Sequence, residues 1–266
     1  MKKKNIPVEF VFQLFALIII FIVVQAYYMT VVRPNAVEAI AEQNRQLEQN
    51  PNFVPERSVW VLIKDYEQES CFILMFWAFA IMGYKAINLN RERRLLELDL
   101  IPIADGMRIL PEDTREFARQ VQALPEEQQR LLLPRVLSSA LRRFASTRNI
   151  QDVSNIAHTV CESEAERLES ELSLIRYIAW AIPAIGFIGT VRGIGDALAQ
   201  ANRAVQGDLS GVTESLGLAF NSTLIALLIS IVLMFLIHQL QSLQERLVFD
   251  TESYFDEKLL RHMKAD

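Results

Sequence analysis

The sequence predicts an all-α, polytopic membrane protein with four transmembrane helices, of which helices 3 and 4 extend into a cytoplasmic helical stalk. Three observations predict it. The 266 residues are 51% hydrophobic with a positive mean hydropathy. The apolar residues gather in four runs that approach or exceed the roughly 20 residues a helix needs to cross a bilayer. None of these runs has a central carboxylate, and amphipathic helical spacing continues beyond the last two on one side.

The first element, residues 1–32, is an N-terminal tail and the span Phe10 to Val32. The opening MKKK, the apolar core and Val24-Gln25-Ala26 resemble a signal peptide with its cleavage site. Glu9 and Gln13 at the start of the core, and an apolar run that continues past Ala26, favour a retained anchor. Residues 33–70 form a periplasmic segment with four basic and seven acidic residues from Arg33 to Glu69. The second span, 71–89, runs from Cys71 to Leu89.

Residues 90–173 read as a cytoplasmic helical domain punctuated by Pro102, Gly106, Pro111, Pro125 and Pro134. Pro111 followed by Glu112 and Asp113 suits a first helical turn, so helices are expected from Pro111 to Leu124 and from Pro125 to Thr147. From Asp152, the spacing of Val153, Ile156, Val160, Leu168, Leu172 and Ile175 predicts one long helix rising into the third span, 174–199. A periplasmic loop, 200–215, leads to the fourth span, 216–238. Leu240, Leu243, Leu247, Tyr254 and Leu259 continue that helix through the cytoplasmic C-terminal segment, 239–266.

Charge orients the chain. Of its 27 basic residues, 21 fall on the side that holds both termini and the 90–173 domain. That excess marks the cytoplasmic side. Lys85 is expected to snorkel to the inner interface, and NRERRLLELD after the second span reads as a positive flank. Cys71 and Cys161 imply no disulfide framework. His158, His238 and His262 are too scattered for a metal site. No nucleophile–base constellation or phosphate loop is present, and basic residues are interleaved with acids, so neither an enzyme nor a nucleic-acid binder is expected.

The third span carries Gly186, Gly189, Gly193, Gly195 and Pro183, poor helix formers in water. Between membrane helices, small residues let backbones approach closely. At steps of three and four, Pro183, Gly186, Thr190, Gly193 and Ala197 share one face. The fourth span answers with Ser215, Ala219, Thr223 beside Ser222, Ala226 and Ser230. Two such faces can pack together or line a path.

GFIGTVRGIGDAL, followed after a short loop by LGLAFNSTLIALLIS, resembles the MotA/TolQ/ExbB proton-channel family. The segment G-x-x-G-T-V-x-G corresponds to Gly186, Gly189, Thr190, Val191 and Gly193, and the next span's Ala-Leu-x-x-Thr-type segment to Ala219, Phe220 and Thr223. The four-span order resembles the flagellar-stator branch. The glutamate that many TolQ and ExbB proteins carry five residues before the second threonine is Leu218 here.

The resemblance implies a channel-forming subunit of an ion-motive-force-driven motor in the bacterial inner membrane. It implies a homo-oligomer, a pentamer, around a dimer of a single-span MotB/TolR/ExbD-type partner. Carrying protons through hydrocarbon usually takes an ionisable side chain at depth. No span here offers one, so the resemblance assigns that acid to an aspartate of the partner. Thr190, Thr223, Ser222 and Asn221 are the expected ion pathway. Pro183, Gly186, Gly189, Gly193, Ala197, Ala219, Ala226 and Ser230 are the packing or pore face. The expected transported ion is H+, with Na+ as the alternative, and no cofactor or metal is expected. Partners are the single-span subunit and membrane lipids, with no nucleic acid. Arg192, costly within a span, is expected to pair with Asp196 four residues on. The alternative function is a non-conducting membrane scaffold or signalling subunit.

Overall fold

The computed structural model describes residues 8–50, 58–98, 100–101 and 107–264. Lys2, Lys3, Lys4, Pro102 and Gly106, used above for orientation and punctuation, lie outside the described residues. Every regular element among the described residues is helical, and the only β pairing among them is an isolated bridge between Ile109 and Met263. Four helical stretches are long and apolar enough to cross a membrane: Val8–Leu47, Tyr66–Leu96, Ile150–Ala199 and Ser210–His262.

Helix α1 (Val8–Tyr27) passes through a π turn (Tyr28–Val32) into α2 (Arg33–Gln49), so the helical path that holds the first span continues beyond Val32. The reason is local. Pro34 has no N–H to return to the preceding turn, and the Arg33 N–H reaches back five residues to Tyr28 O. The wider turn absorbs the proline without ending the helix. After α3 (Val59–Ile63), helix α4 (Tyr66–Leu96) begins where the Glu69 N–H bonds Asp65 O at 3.1 Å.

The chain divides into two compact units. The first comprises residues 1–82 and 174–237. It holds α1 to α3, the start of α4, most of α9 (Ser173–Ala199), α10 (Ala201–Val205) and the first part of α11 (Ser210–Lys258). Val24, Tyr28, Val32 and Ile73 form a core, with Leu17, Ile20, Trp60, Ile63 and Phe72 packed against it. Trp77 Nε1 donates to Gln13 O at 2.9 Å and ties α4 to α1. The outward face of α1 exposes Phe10, Leu14, Phe15, Ile18, Ile19 and Ile22. So continuous an apolar surface suits hydrocarbon rather than water.

The second unit comprises residues 83–173 and 238–266. Its shorter helices α5 (Thr114–Gln122) and α6 (Glu126–Gln129) pack on α7 (Leu132–Thr147), which in turn packs with α8 (Ile150–Glu171). The expected helix from Pro111 starts three residues later. Thr114 Oγ1 donates to Pro111 O at 2.7 Å and Asp113 Oδ2 accepts from Leu110 N at 3.0 Å, which makes a turn of the first three residues. The expected helix from Pro125 is split, because Leu131 is extended. That re-aims the chain so that Leu132, Leu133, Val136, Leu137, Leu141 and Phe144 are all buried. The Leu132 N–H, orphaned at the new helix start, donates to Glu92 Oε2 at 3.2 Å. Glu92 belongs to the charged stretch after the second span, so that stretch is partly an internal clasp and not only a flank.

The long helix expected from Asp152 begins at Ile150, where the Asn149 side chain accepts from Gln151 N at 2.9 Å, a standard N-cap. It is interrupted once, at Leu172, between α8 and α9. α11 is unbroken over 49 residues. Lys85 does not snorkel; it is buried and pairs with Glu171 at 2.9 Å. Cys71 and Cys161 are both free and buried. Residues 262–264 close on the unit as Ile109 N donates to His262 O at 2.8 Å and Lys264 N to Ile109 O at 3.1 Å.

His158 on α8 meets Glu252 on α11 at 2.9 Å, and this hydrogen bond, with the carboxylate charge, raises the imidazole pKa above its ordinary value. A group with a raised folded-state pKa stabilises the fold below its unfolded pKa, and loses that contribution as pH rises through the folded value. Glu252→Gln is therefore expected to lower the His158 titration midpoint, read by histidine-resolved NMR. An unmoved midpoint would remove Glu252 as the cause. Both side chains are well exposed, so the effect on global stability should be slight.

Candidate functional site

The candidate site lies in the first unit, where α9 and α11 meet. Its basis is backbone proximity. A Cβ added to Gly186 would lie 2.5 Å from Ala226 Cβ and 3.1 Å from Ser222 O. One on Gly193 would lie 2.6 Å from Ser215 O and 2.8 Å from Ala219 Cβ, and one on Gly189 2.5 Å from Ser222 Cβ. Gly195 and Gly217 have nothing within 4 Å of such an atom. Three of the four glycines of α9 therefore exist for this contact, and the two small faces read from the sequence are opposite sides of it. Gly186, Gly189, Gly193, Ala197, Ala219, Ser222 and Ala226 are buried.

Pro183 belongs to the same contact for a different reason. Lacking an N–H, it leaves the carbonyl of Ala179, four residues back, without its helical donor. Ser230 Oγ supplies one, donating to Ala179 O at 3.3 Å. Proline in a membrane helix is tolerated where a neighbouring helix re-satisfies the freed carbonyl.

Thr190 and Thr223 are half-buried and touch, Oγ1 to Oγ1 at 2.5 Å. Thr223 Oγ1 also donates to Gly186 O at 3.1 Å. Thr190 Oγ1 is within reach of Ala219 O at 3.1 Å and of Gly186 O at 3.4 Å. Two hydroxyl protons thus face more acceptors than they can serve at once. The pair can exchange one hydrogen bond for another by rotation alone. Ser222 turns its hydroxyl to Leu218 O at 2.8 Å, and Asn221 is half-buried beside it.

Arg192 does not pair with Asp196. Its Nη2 donates to Glu67 Oε2 on α4 at 2.9 Å, while Asp196 is exposed. The i,i+4 spacing permits the shorter-range pair. A carboxylate withdrawn from solvent holds the guanidinium more strongly than an exposed one, because water screens less there. Glu67 is the partner of Arg192 that sequence reasoning missed. It lies in an acidic run just before an apolar run, and nothing in that pattern shows which helix it faces. Its Cγ is 3.1 Å from the Cβ position of Gly189, next to Ser222.

Further polar groups neighbour Glu67 in the chain or pair with its neighbours. Lys64 pairs with Glu214 at 3.4 Å and Arg33 with Glu69 at 2.6 Å, the Arg33 guanidinium also lying over the Tyr66 ring. Asp65 keeps one buried oxygen without a hydrogen-bond partner. Burial pushes its carboxyl above the usual range, and Lys64 beside it pulls the other way. Among the described residues no group of three or more His, Cys, Asp or Glu is arranged to hold a metal ion.

Two close-packed helices, with paired threonines at a glycine-lined contact, therefore lie within the stretch whose residues carry the family resemblance. Residues 128–253, which include α9 and most of α11, match the model of the MotA/TolQ/ExbB proton channel family. The chain thus carries a MotA/TolQ/ExbB family stretch. It is accordingly a multi-pass membrane protein of proton-channel type, from a family of channels rather than of known enzymes. No curated protein and no solved structure matches the chain. The matched stretch holds Thr190, Thr223, Arg192 and every glycine of the contact, whereas Glu67 and α1 to α4 lie outside it.

Proposed function

We propose that this chain is the channel-forming subunit of an ion-driven motor in a bacterial inner membrane, with both termini cytoplasmic. Five copies form a ring around a dimer of a single-span MotB/TolR/ExbD-type partner, and proton flow is converted into mechanical work, with sodium as the alternative ion. The observation that carries this reading is the Thr190–Thr223 contact at the close-packed junction of α9 and α11. A hydroxyl does not titrate near neutral pH, so the threonines do not carry the proton. They offer rotatable hydrogen bonds to the ion, to its water or to the partner's aspartate, and each rotation leaves no buried carbonyl stranded for long. The carrier is the aspartate, whose charge within hydrocarbon requires such polar company.

A non-conducting scaffold is the alternative, and the same hydrogen bonds favour it, since both hydroxyls find partners within the chain. Threonine to valine separates the two. A hydrogen bond between membrane helices averages only about 0.6 kcal/mol, so its loss should not dismantle an assembly. Thr190→Val and Thr223→Val are expected to leave the complex with its partner intact and to cut ion flux into proteoliposomes by about tenfold or more. Both variants conducting like the wild-type complex would make the threonines packing residues.

A further inference from the structure

One buried acid sits closer to the threonine contact than its place in the sequence suggests. Glu67 enters from α4, its residue surface is 8% exposed, and its Cγ packs against Gly189, which precedes Thr190. The Cβ position of Gly189 that Glu67 approaches is also 2.6 Å from Ser222 Oγ. Arg192 engages only Oε2. No described hydrogen bond engages Oε1, and that atom is not among the sealed, unpartnered ones. The charged and titratable groups around this carboxylate are Arg192 from α9, Asp65 and Cys71 on its own side, and, past Asp65, Lys64 and Glu214. A buried carboxylate is costly unless a cation compensates it. Here the compensating guanidinium side chain is itself 42% exposed, so packing within the chain does not lock it onto the carboxylate when another cation arrives.

We propose that Glu67 is an ion-receiving carboxylate of this chain, at the mouth of the path that Thr190 and Thr223 continue, with Arg192 as the competing cation that the incoming ion displaces. This rests on the channel reading above. It deepens that reading by giving the ring its own acid, besides the one expected from the partner. The incoming monovalent cation, a proton on water or a sodium ion, takes the carboxylate from Arg192. It then moves on, carried by water or as the bare sodium ion, along the path whose water the Thr190 and Thr223 hydroxyls hydrogen-bond, and Arg192 returns to reset the site. For a proton, the O–H bond to its carrier water breaks as one forms on the Glu67 carboxylate, and release to the next water reverses this; for sodium only ionic contacts change.

The two members of a purely structural pair fail in the same direction when replaced, whereas a receiver and its competitor fail in opposite ones. The test uses the complex co-purified with its single-span partner and reconstituted in proteoliposomes. Flux is measured against proton, and separately sodium, concentration on the side exposing residues 33–70. Glu67→Gln should raise the half-saturating concentration about tenfold, the worth of a charge-assisted contact. Its maximal flux should stay within about twofold of wild type, since only capture is weakened. Arg192→Gln should do the reverse, lowering the half-saturating concentration and, because release slows, the maximum. The double variant should follow Glu67→Gln. The ion whose curve moves is the ion received.

If Glu67→Gln does not assemble, Arg192→Gln decides alone: a curve unmoved or shifted to higher concentration overturns the inference. A wild-type complex that conducts, with both variants on its curve, also overturns it while the channel reading stands. A wild-type complex that fails to conduct with the partner's plug released defeats the channel reading itself, and this inference with it.

Discussion

Gly193→Ala is expected to force α9 and α11 apart and to lower the thermal stability of the purified protein sharply, whereas Gly195→Ala two residues on should be neutral or stabilising. The new methyl at 193 meets the Ser215 carbonyl oxygen at 2.6 Å, Ala219 Cβ at 2.8 Å and Ala219 N at 2.9 Å. Two of these are backbone atoms of a continuous helix, so no side chain can rotate away and the helices themselves must move. Overpacking of this kind costs about 1–3 kcal/mol and more where the backbone cannot yield. Against it stands only the better helix propensity of alanine, up to about 1 kcal/mol. At Gly195 that propensity acts alone, because nothing lies within 4 Å. The comparison is read from detergent melting curves, with the oligomer followed by gel filtration. Equal stability of the two variants would mean that α9 and α11 are not held at this distance.

The second large effect is expected in the other unit. Glu164 is 2% exposed and its two oxygens are engaged separately, Oε2 by Arg135 at 2.8 Å and Oε1 by Arg167. The arginine side chains are 40% and 55% exposed. That asymmetry sets the prediction. Arg135→Ala with Arg167→Ala strands a buried carboxylate, and breaking a buried pair in this way costs about 3–5 kcal/mol. Glu164→Ala leaves two arginines that can turn outward and hydrate, so its cost is chiefly lost packing, about 1 kcal/mol. Denaturation of the full chain in mild detergent, followed by a probe in the second unit, should rank the double arginine variant well below Glu164→Ala. The reverse order would show that the carboxylate reaches water without its arginines.

The glycines were legible because packing leaves a periodic trace. Gly186, Gly193 and Ala197 fall at helical steps whatever they face, and a helix that must approach another has few residue types to use. Leu131 was not legible. Nothing in Gln128-Gln129-Arg130-Leu131 signals an extended residue, and the helix breaks there because the leucines that follow are buried together. The Arg192 pairing failed for a related reason. Asp196 is the partner that helical spacing offers, whereas Glu67 is 125 residues away in the chain and reaches Arg192 only once α4 lies against α9.

The sequence by itself determined the solvent and the secondary structure of this protein. Four long apolar runs exclude water, a helix satisfies its own backbone there, and both facts are local. The bias of lysine and arginine and the small-residue faces are local in the same sense, since each is written in one segment without reference to another. Only the tertiary structure decided which polar groups meet. Ser230 repairs the carbonyl that Pro183 orphans, Thr190 and Thr223 share hydrogen bonds, and Glu67 leaves its place in an acidic run to hold Arg192 beside them. A hydroxyl or a carboxylate carries no periodicity that names its partner. Its partner is whichever donor lies within about 3 Å once apolar packing has fixed the helices.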